Sequence, residues 1–166
     1  MEENYKDEMI VIDNVNRYNE IFRLETKHPL VSIIDLTKST TWPTRAWFRY
    51  EVYALFLKNV KCGDIKYGRQ YYDYQDGTIV CFGPGQITDL ELIQNIQPNA
   101  HGLLFHPDLI RGTSLGQEIK NYSFFSYETN EALHLSEEER QIVMDCLQKI
   151  AIELNHALDR HSRRLI

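Results

Sequence analysis

The sequence lacks the features that would assign it to several large classes of protein. No stretch approaches the roughly 18 apolar residues that a membrane span requires. Its three cysteines are scattered and form no Cys-x-x-Cys pair, so reduced thiols in a cytosolic protein are the simplest interpretation. The formal net charge of −6 repels phosphates and disfavours direct nucleic-acid binding.

Targeting signals and catalytic motifs are missing as well. The N-terminus, Met1 to Glu8, is acidic and has no signal-peptide pattern, so the cytoplasm is the expected location. The sequence contains no His-Glu-x-x-His, Gly-x-Ser-x-Gly or glycine-rich phosphate-binding motif. No catalytic residue is predicted, and an enzyme is not the expected function.

Short strand-like runs separated by turn residues fill the region from about residue 30 to residue 133. The longest predicted strand is Arg45 to Leu57, which alternates between apolar and other side chains. Its predicted buried face carries Phe48, Tyr50, Val52, Ala54 and Phe56. Alternation of this kind places one face of a strand in a core. Many short strands before a terminal helix predict a mainly β structure with a C-terminal α segment, either a barrel or a sandwich.

The other predicted elements follow from turn residues and caps. A short helix is expected over Asp13 to Phe22, with Asp13 as its N-cap. Further strands are expected at Leu30–Leu36, Thr78–Phe82, Ile87–Ile96 and Gly102–Phe105.

The segment from Ser136 onward contains neither glycine nor proline and predicts a helix. Ser136 and Glu139 form the Ser-x-x-Glu pattern of a capping box at its start. Five apolar residues then recur at spacings of four and three, as in a coiled-coil seam: Val143, Leu147, Ile150, Leu154 and Leu158. The seam either packs on the β-domain or meets a partner. A second helix is expected to begin near Asp159, before the sequence stops at Ile166.

Three segments, in this order, resemble the N-terminal domain of AraC-family transcription regulators, most closely those of Bacteroidetes. In the first segment, Asp73–Gln86, a glycine opens a strand and Pro-Gly closes it. The second segment, Gly102–Leu115, resembles the strand and the helix that follow in the family. The third segment, Asn121–Ser136, resembles the stretch that leads into the family's dimerisation helices. The resemblance implies a cupin-like β-barrel of jelly-roll type over residues 1–135. It also implies a dimerisation helix or helical hairpin over residues 136–166, with the second helix truncated.

The same resemblance implies partners. The barrel would bind a small-molecule effector, and the helical seam would form a homodimer. In the family, a pair of helix-turn-helix units follows this region and reads DNA. That pair is absent from this chain, so DNA binding is expected only of a longer parent protein.

Aromatic side chains with polar tips at a barrel mouth suit a sugar or another small organic molecule. The candidate ligand-binding residues are Phe48, Arg49, Tyr50, Tyr72, Tyr74 and His101. One alternative is that the rings only fill the core. Another is that Arg49, with Arg45 and Trp47, holds an anion at the rim or simply solubilises an edge strand.

Metal-binding cupins need a His-x-His pair together with a Glu and a later His. The predicted strand Arg45–Leu57 has no histidine, and Pro84-Gly85 is followed by Gln86 to Asp89, where many relatives keep histidines. No metal and no cofactor are therefore expected. Two alternatives to the effector-binding regulator stay open: a free-standing cupin isomerase or dioxygenase, and a dimerisation module that binds no ligand.

Overall fold

The computed structural model of the chain describes residues 9–58, 63–67, 70–71, 77–92, 95–125 and 133–161. For 63–67, 70–71 and 157–161 only the backbone is described. The structure is mixed: two β-sheets pack as a sandwich, and a long helix follows at the C-terminal end. At this level the predicted mainly β structure with a C-terminal helix is confirmed.

Ten strands within the described residues form two sheets of five. The first sheet has the order β1 (Met9–Ile12), β3 (Arg45–Tyr50), β8 (Gln86–Leu92), β5 (Gly63–Tyr67) and β6 (Gln70–Tyr71). The second sheet has the order β10 (Leu133–His134), β7 (Thr78–Phe82), β4 (Tyr53–Lys58), β9 (Ala100–Phe105) and β2 (Val31–Asp35). Neighbouring strands are antiparallel, except that β1 runs parallel to β3.

The predicted strand Arg45–Leu57 is two strands in different sheets, so its continuity is wrong. The break lies at Glu51 and Val52 between β3 and β4. There the Glu51 N–H donates to the Ile12 carbonyl oxygen at 2.9 Å, and the Gly85 N–H donates to the Tyr50 carbonyl oxygen at 2.7 Å. The predicted buried face is nevertheless confirmed in full, because both strands present that face to the same core.

Other strand predictions differ from the structure mainly at their ends. The predicted strands at Leu30–Leu36, Thr78–Phe82 and Gly102–Phe105 correspond to β2, β7 and β9. The predicted strand Ile87–Ile96 starts one residue earlier and stops at Leu92, as β8.

Helix α1 (Val15–Phe22) contributes its apolar face to the core between the sheets. Its Tyr18 ring lies 5.7 Å from Phe56 of the second sheet, and Phe22 lies 6.4 Å from Phe48 of the first. The N-cap is Asn14, whose Oδ1 accepts the Arg17 N–H at 2.9 Å, so the predicted cap at Asp13 is wrong by one residue.

A second apolar cluster covers the outer face of the second sheet. Residues of β2, β4 and β9 on that face pack against the segment 107–125, which includes helix α2 (Ser114–Glu118), and against Leu154. The second sheet is therefore buried on both faces. The outer face of the first sheet is more open, and Trp47 of β3 is 40% exposed there.

Helix α3 (Glu137–His161) begins at the predicted capping box, which is confirmed. Glu139 Oε2 accepts the Ser136 N–H at 2.8 Å, and Ser136 Oγ accepts the Glu139 N–H at 3.2 Å. The helix passes through Asp159 without a break, so the predicted start of a second helix there is wrong. Among the described residues, no helix combines the length and the apolar content that crossing a membrane demands.

Candidate functional site

The described residues among those predicted to bind an effector lie in three separate places: the core and the outer face of each sheet. Phe48 and Tyr50 point into the core between the sheets, whereas Arg49, between them in β3, points outward. His101 lies within β9, opposite Asp35 of β2, on the outer face of the second sheet. Tyr72 and Tyr74 lie outside the described residues. The described candidates are therefore not brought together into one site.

The interior between the sheets is closely packed around the two inward candidates. Phe48 is 0% exposed and Tyr50 is 3% exposed. Burial raises the pKa of the Tyr50 phenol, which is hydrogen-bonded to the Thr88 side chain. The remaining cavity has a volume of about 20 Å³, which is space for roughly one water molecule. Ligand pockets are typically ~300–1,000 Å³, so in this structure the rings fill the core.

Gln86 stands just after Pro84-Gly85 and is the first residue of β8. Its Oε1 accepts the Gly83 N–H at 2.7 Å, and its Nε2 donates to the Phe125 carbonyl oxygen at 2.5 Å. The side chain is buried. Gln86 therefore holds the turn between β7 and β8 against the segment that covers the second sheet.

The basic side chains of β3 are paired on the outer face of the first sheet. Arg49 Nε lies 2.9 Å from Glu51 Oε1, and Arg45 Nη2 lies 3.6 Å from Asp89 Oδ2. The side chains of Arg45, Arg49 and Glu51 are about half exposed, and exposed pairs contribute only about 0–1 kcal/mol. A carboxylate already faces each guanidinium. This arrangement favours arginines that keep the surface soluble over arginines that bind an anion.

His101 belongs to a polar cluster at the end of β2. Its Nε2 lies 3.5 Å from Asp35 Oδ1, and both side chains are about three-quarters buried. The same Asp35 oxygen accepts the Thr37 N–H at 3.1 Å and the Thr37 hydroxyl at 2.5 Å. His101 thus orients a carboxylate that caps the 3-10 turn Leu36–Lys38.

The described part of the predicted seam on α3 faces the chain's own β-domain. Val143, Leu147, Ile150 and Leu154 are half-buried, and Leu154 packs on the outer apolar cluster of the second sheet. The Leu158 side chain lies outside the described residues. Among the described side chains of α3, the large apolar ones that are exposed are Ile142, at 56%, and Ile152, at 45%.

A groove that the sequence analysis missed lies between α3 and β2. Its volume is about 170 Å³. Its walls include Leu24, Val31, Ser32, Ile33, Ala151 and Leu154. Lys27 also lines it, and its Nζ donates to Asn155 Oδ1 at 2.7 Å. No local pattern signals this groove, because its two walls are separated by more than a hundred residues of sequence.

Within the described ranges, no three His, Cys, Asp or Glu side chains lie close enough together to hold a metal ion.

Comparison with known proteins finds no family model that matches the chain and no curated protein that matches its sequence.

Proposed function

We propose that the two sheets form a jelly roll of the cupin type. The support is the strand pairing: β2 pairs with β9, β3 with β8, β4 with β7, and β5 with β6. These four nested antiparallel pairs are what a single long hairpin produces when it is folded over into two sheets. A jelly roll has eight strands in two sheets with this connectivity, while β1 and β10 extend the edges.

On this basis we infer a non-catalytic scaffold that binds other molecules through its surface and its terminal helix. More specifically, we propose the regulatory N-terminal domain of an AraC-type transcription regulator, acting as a homodimer in the cytoplasm. The observation that carries the proposal is the nested strand pairing of the two sheets followed by one capped helix of 25 residues. The resemblance of three sequence segments to that family supports the same assignment.

In this proposal the parent protein reads DNA through a separate helix-turn-helix domain. A small-molecule effector, for example a sugar, favours one of two arrangements of the dimer. The close packing of the interior limits how an effector can bind inside the barrel. An effector inside the barrel must displace some of the side chains that line the cavity, such as Tyr18 or Phe22 of α1, because the cavity beside them holds only about 20 Å³.

The dimer is expected to use the residues of α3 that the fold leaves exposed. Leu154 is a poor probe of dimerisation, because its loss also disturbs the cluster on the second sheet. Ile142 and Ile152 are better probes, because both side chains are about half exposed. A second copy of α3 packed on this side buries them without rearranging the β-domain.

Light scattering on the purified chain at micromolar concentration tests the dimer. The expected mass is twice the chain mass of 19.6 kDa. Ile142→Glu and Ile152→Glu should each shift the equilibrium toward monomer. Gln117→Glu adds the same carboxylate at an exposed position of α2, outside α3, and should leave the mass unchanged. A monomer across the whole range contradicts the proposal.

Two further measurements separate the alternatives. Thermal shifts against a panel of mono- and oligosaccharides distinguish an effector-binding domain from a dimerisation module that binds no ligand. Metal analysis of the purified protein tests the cupin enzyme. Stoichiometric iron, manganese or zinc would overturn the regulatory assignment.

A further inference from the structure

Strand β2 forms one edge of the second sheet, and β9 is its neighbour there. The His106 N–H donates to the Leu30 carbonyl oxygen at 2.8 Å, in the register that pairs Val31 with Phe105. Hydrogen-bonded and non-hydrogen-bonded pairs alternate along an antiparallel ladder. The backbone groups of Ser32 and Ile34 therefore face β9, and those of Val31 and Ile33 face away from the sheet.

These outward groups belong to residues of which Val31 is 9% exposed and Ile33 is partly exposed. Within the part of the chain that the structure describes, no further backbone hydrogen bond reaches Val31 or Ile33 from the open side. An edge strand of this kind presents a row of N–H and C=O groups to any other extended chain.

The same edge lines the groove beneath α3. Val31, Ser32 and Ile33 are consecutive, and all three border it. Since successive side chains of a strand point to opposite faces, three consecutive residues can border one space only along the strand's edge. Ala151 and Leu154 of α3 form the opposite wall.

The volume and the charges of the groove define what fits. Its volume is about 170 Å³, somewhat more than the roughly 150 Å³ of an apolar cavity that holds benzene. The charged residues at its rim cancel in pairs: Lys27 lies 3.9 Å from Glu25, and Lys38 lies 3.9 Å from Asp35. The walls offered by Leu24, Ala151 and Leu154 are aliphatic. The groove therefore favours an uncharged occupant with an aliphatic group.

We propose that the edge of β2 and the facing side of α3 form a docking groove for an extended, uncharged peptide segment, bound by strand addition. The peptide backbone pairs with Val31 and Ile33, whose outward groups recur every second residue, about 7 Å apart. One aliphatic side chain of the peptide enters the space between Leu24 and α3. The proposal does not depend on the regulatory assignment.

Amide hydrogen exchange followed by NMR tests the edge first. In the unliganded chain, the amides of Val31 and Ile33 should exchange rapidly, whereas those of Ser32 and Ile34 should be protected by their bonds to β9. Protection of Val31 and Ile33 in the unliganded chain would show that the edge is already covered and would overturn the proposal.

Titration with capped pentapeptides then tests docking. The probes alternate threonine with valine, leucine or isoleucine, and carry an acetylated N-terminus and an amidated C-terminus. At least one probe should shift the amide resonances of Val31, Ile33 and Ala151 and slow the exchange of Val31 and Ile33. The binding probe should lose affinity when its own edge amides are N-methylated, and should be insensitive to salt. Shifts confined to another surface, or none at millimolar peptide, reject the groove.

Two variants locate the site. Ile33→Pro removes an outward N–H at a position where an edge strand tolerates proline, and should weaken binding about tenfold. Ala151→Leu fills the groove and should weaken binding at least as much, which keeps the test valid if the proline variant does not fold. Gln148→Leu adds the same side chain at an exposed position of α3 and should bind normally. Equal binding by Ala151→Leu and the unmodified chain would overturn the proposal.

Discussion

Tyr50 of the first sheet stacks on Phe82 of the second, with ring centroids 5.0 Å apart and ring planes inclined by 13°. Aromatic pairs of this kind contribute about 0.5–1.5 kcal/mol beyond the burial of their area. The contact joins the two sheets across the core. A side chain that sequence reasoning placed in an effector site is thus part of the packing between the layers.

The Tyr50 phenol makes stability depend on alkaline pH. Burial raises its pKa above the ordinary value of 10.0, so the unfolded chain releases this proton at lower pH than the folded chain. The stabilisation is complete below pH 10.0 and declines as the pH rises above it. Tyr50→Phe should flatten this decline, and should cost about 1 kcal/mol at neutral pH because Thr88 loses its partner. Urea unfolding at a series of pH values measures both effects; an unchanged slope in Tyr50→Phe would contradict the prediction.

Cys81 and Cys146 should differ sharply in their reactivity toward thiol reagents. Burial raises the pKa of the Cys81 thiol to about 12, whereas the Cys146 thiol is exposed on α3. Because the thiolate is the nucleophile, N-ethylmaleimide should label Cys146 in the folded protein and Cys81 only after unfolding in urea. Peptide mass spectrometry reads each cysteine separately, and Cys146→Ser serves as the control. Similar labelling rates at both sites in the folded protein would refute the burial of Cys81.

The capping box should control the start of α3. Ser136→Ala removes the acceptor for the Glu139 N–H and should destabilise the helix by about 1 kcal/mol. Hydrogen bonds from the Ser136 backbone and side chain lower the pKa of Glu139 below its ordinary 4.5. Its contribution is complete above pH 4.5 and is lost as the pH falls through the lower folded value. Helical circular dichroism during urea unfolding measures the loss of stability in Ser136→Ala and the pH dependence that comes from Glu139. Glu138→Gln is the control in the same turn.

Gly102 should tolerate no side chain, because the second sheet closes around it. A Cβ there would lie 2.6 Å from both the Leu55 carbonyl oxygen and the Phe56 ring. Gly102→Ala should cost about 1–3 kcal/mol in unfolding free energy. In a Phe56→Leu background the same substitution should cost less, because one of the two contacts is then relieved.

Gly85→Ala provides a comparison for Gly102→Ala. Its φ is +87°, and among the described residues no atom lies within 4 Å of an added Cβ. Gly85→Ala should therefore lose stability only through backbone strain, about 1–2 kcal/mol. Phe56→Leu should not rescue it. Equal rescue at both glycines would show that the Phe56 contact is not the cause.

Local patterns in the sequence were sufficient for the elements whose stabilising contacts are themselves local. The capping box of Ser136 and Glu139 joins residues three apart, and its geometry follows from the residue types alone. The alternation from Phe48 to Phe56 likewise identified the buried side chains correctly. Such periodicity reports which residues share a face, because side chains alternate along any strand.

Only the tertiary structure decided what each face meets. Alternation continues through the bend at Glu51, so the sequence alone did not reveal that β3 and β4 belong to different sheets. Nor did it reveal that α1 closes the space around Phe48 and Tyr50, or that Arg49 and His101 lie on opposite outer faces. The groove between β2 and α3 depends on residues more than a hundred positions apart. Whether an aromatic residue binds a ligand or fills a core depends on the volume left beside it, and that volume is set by the packing of distant segments.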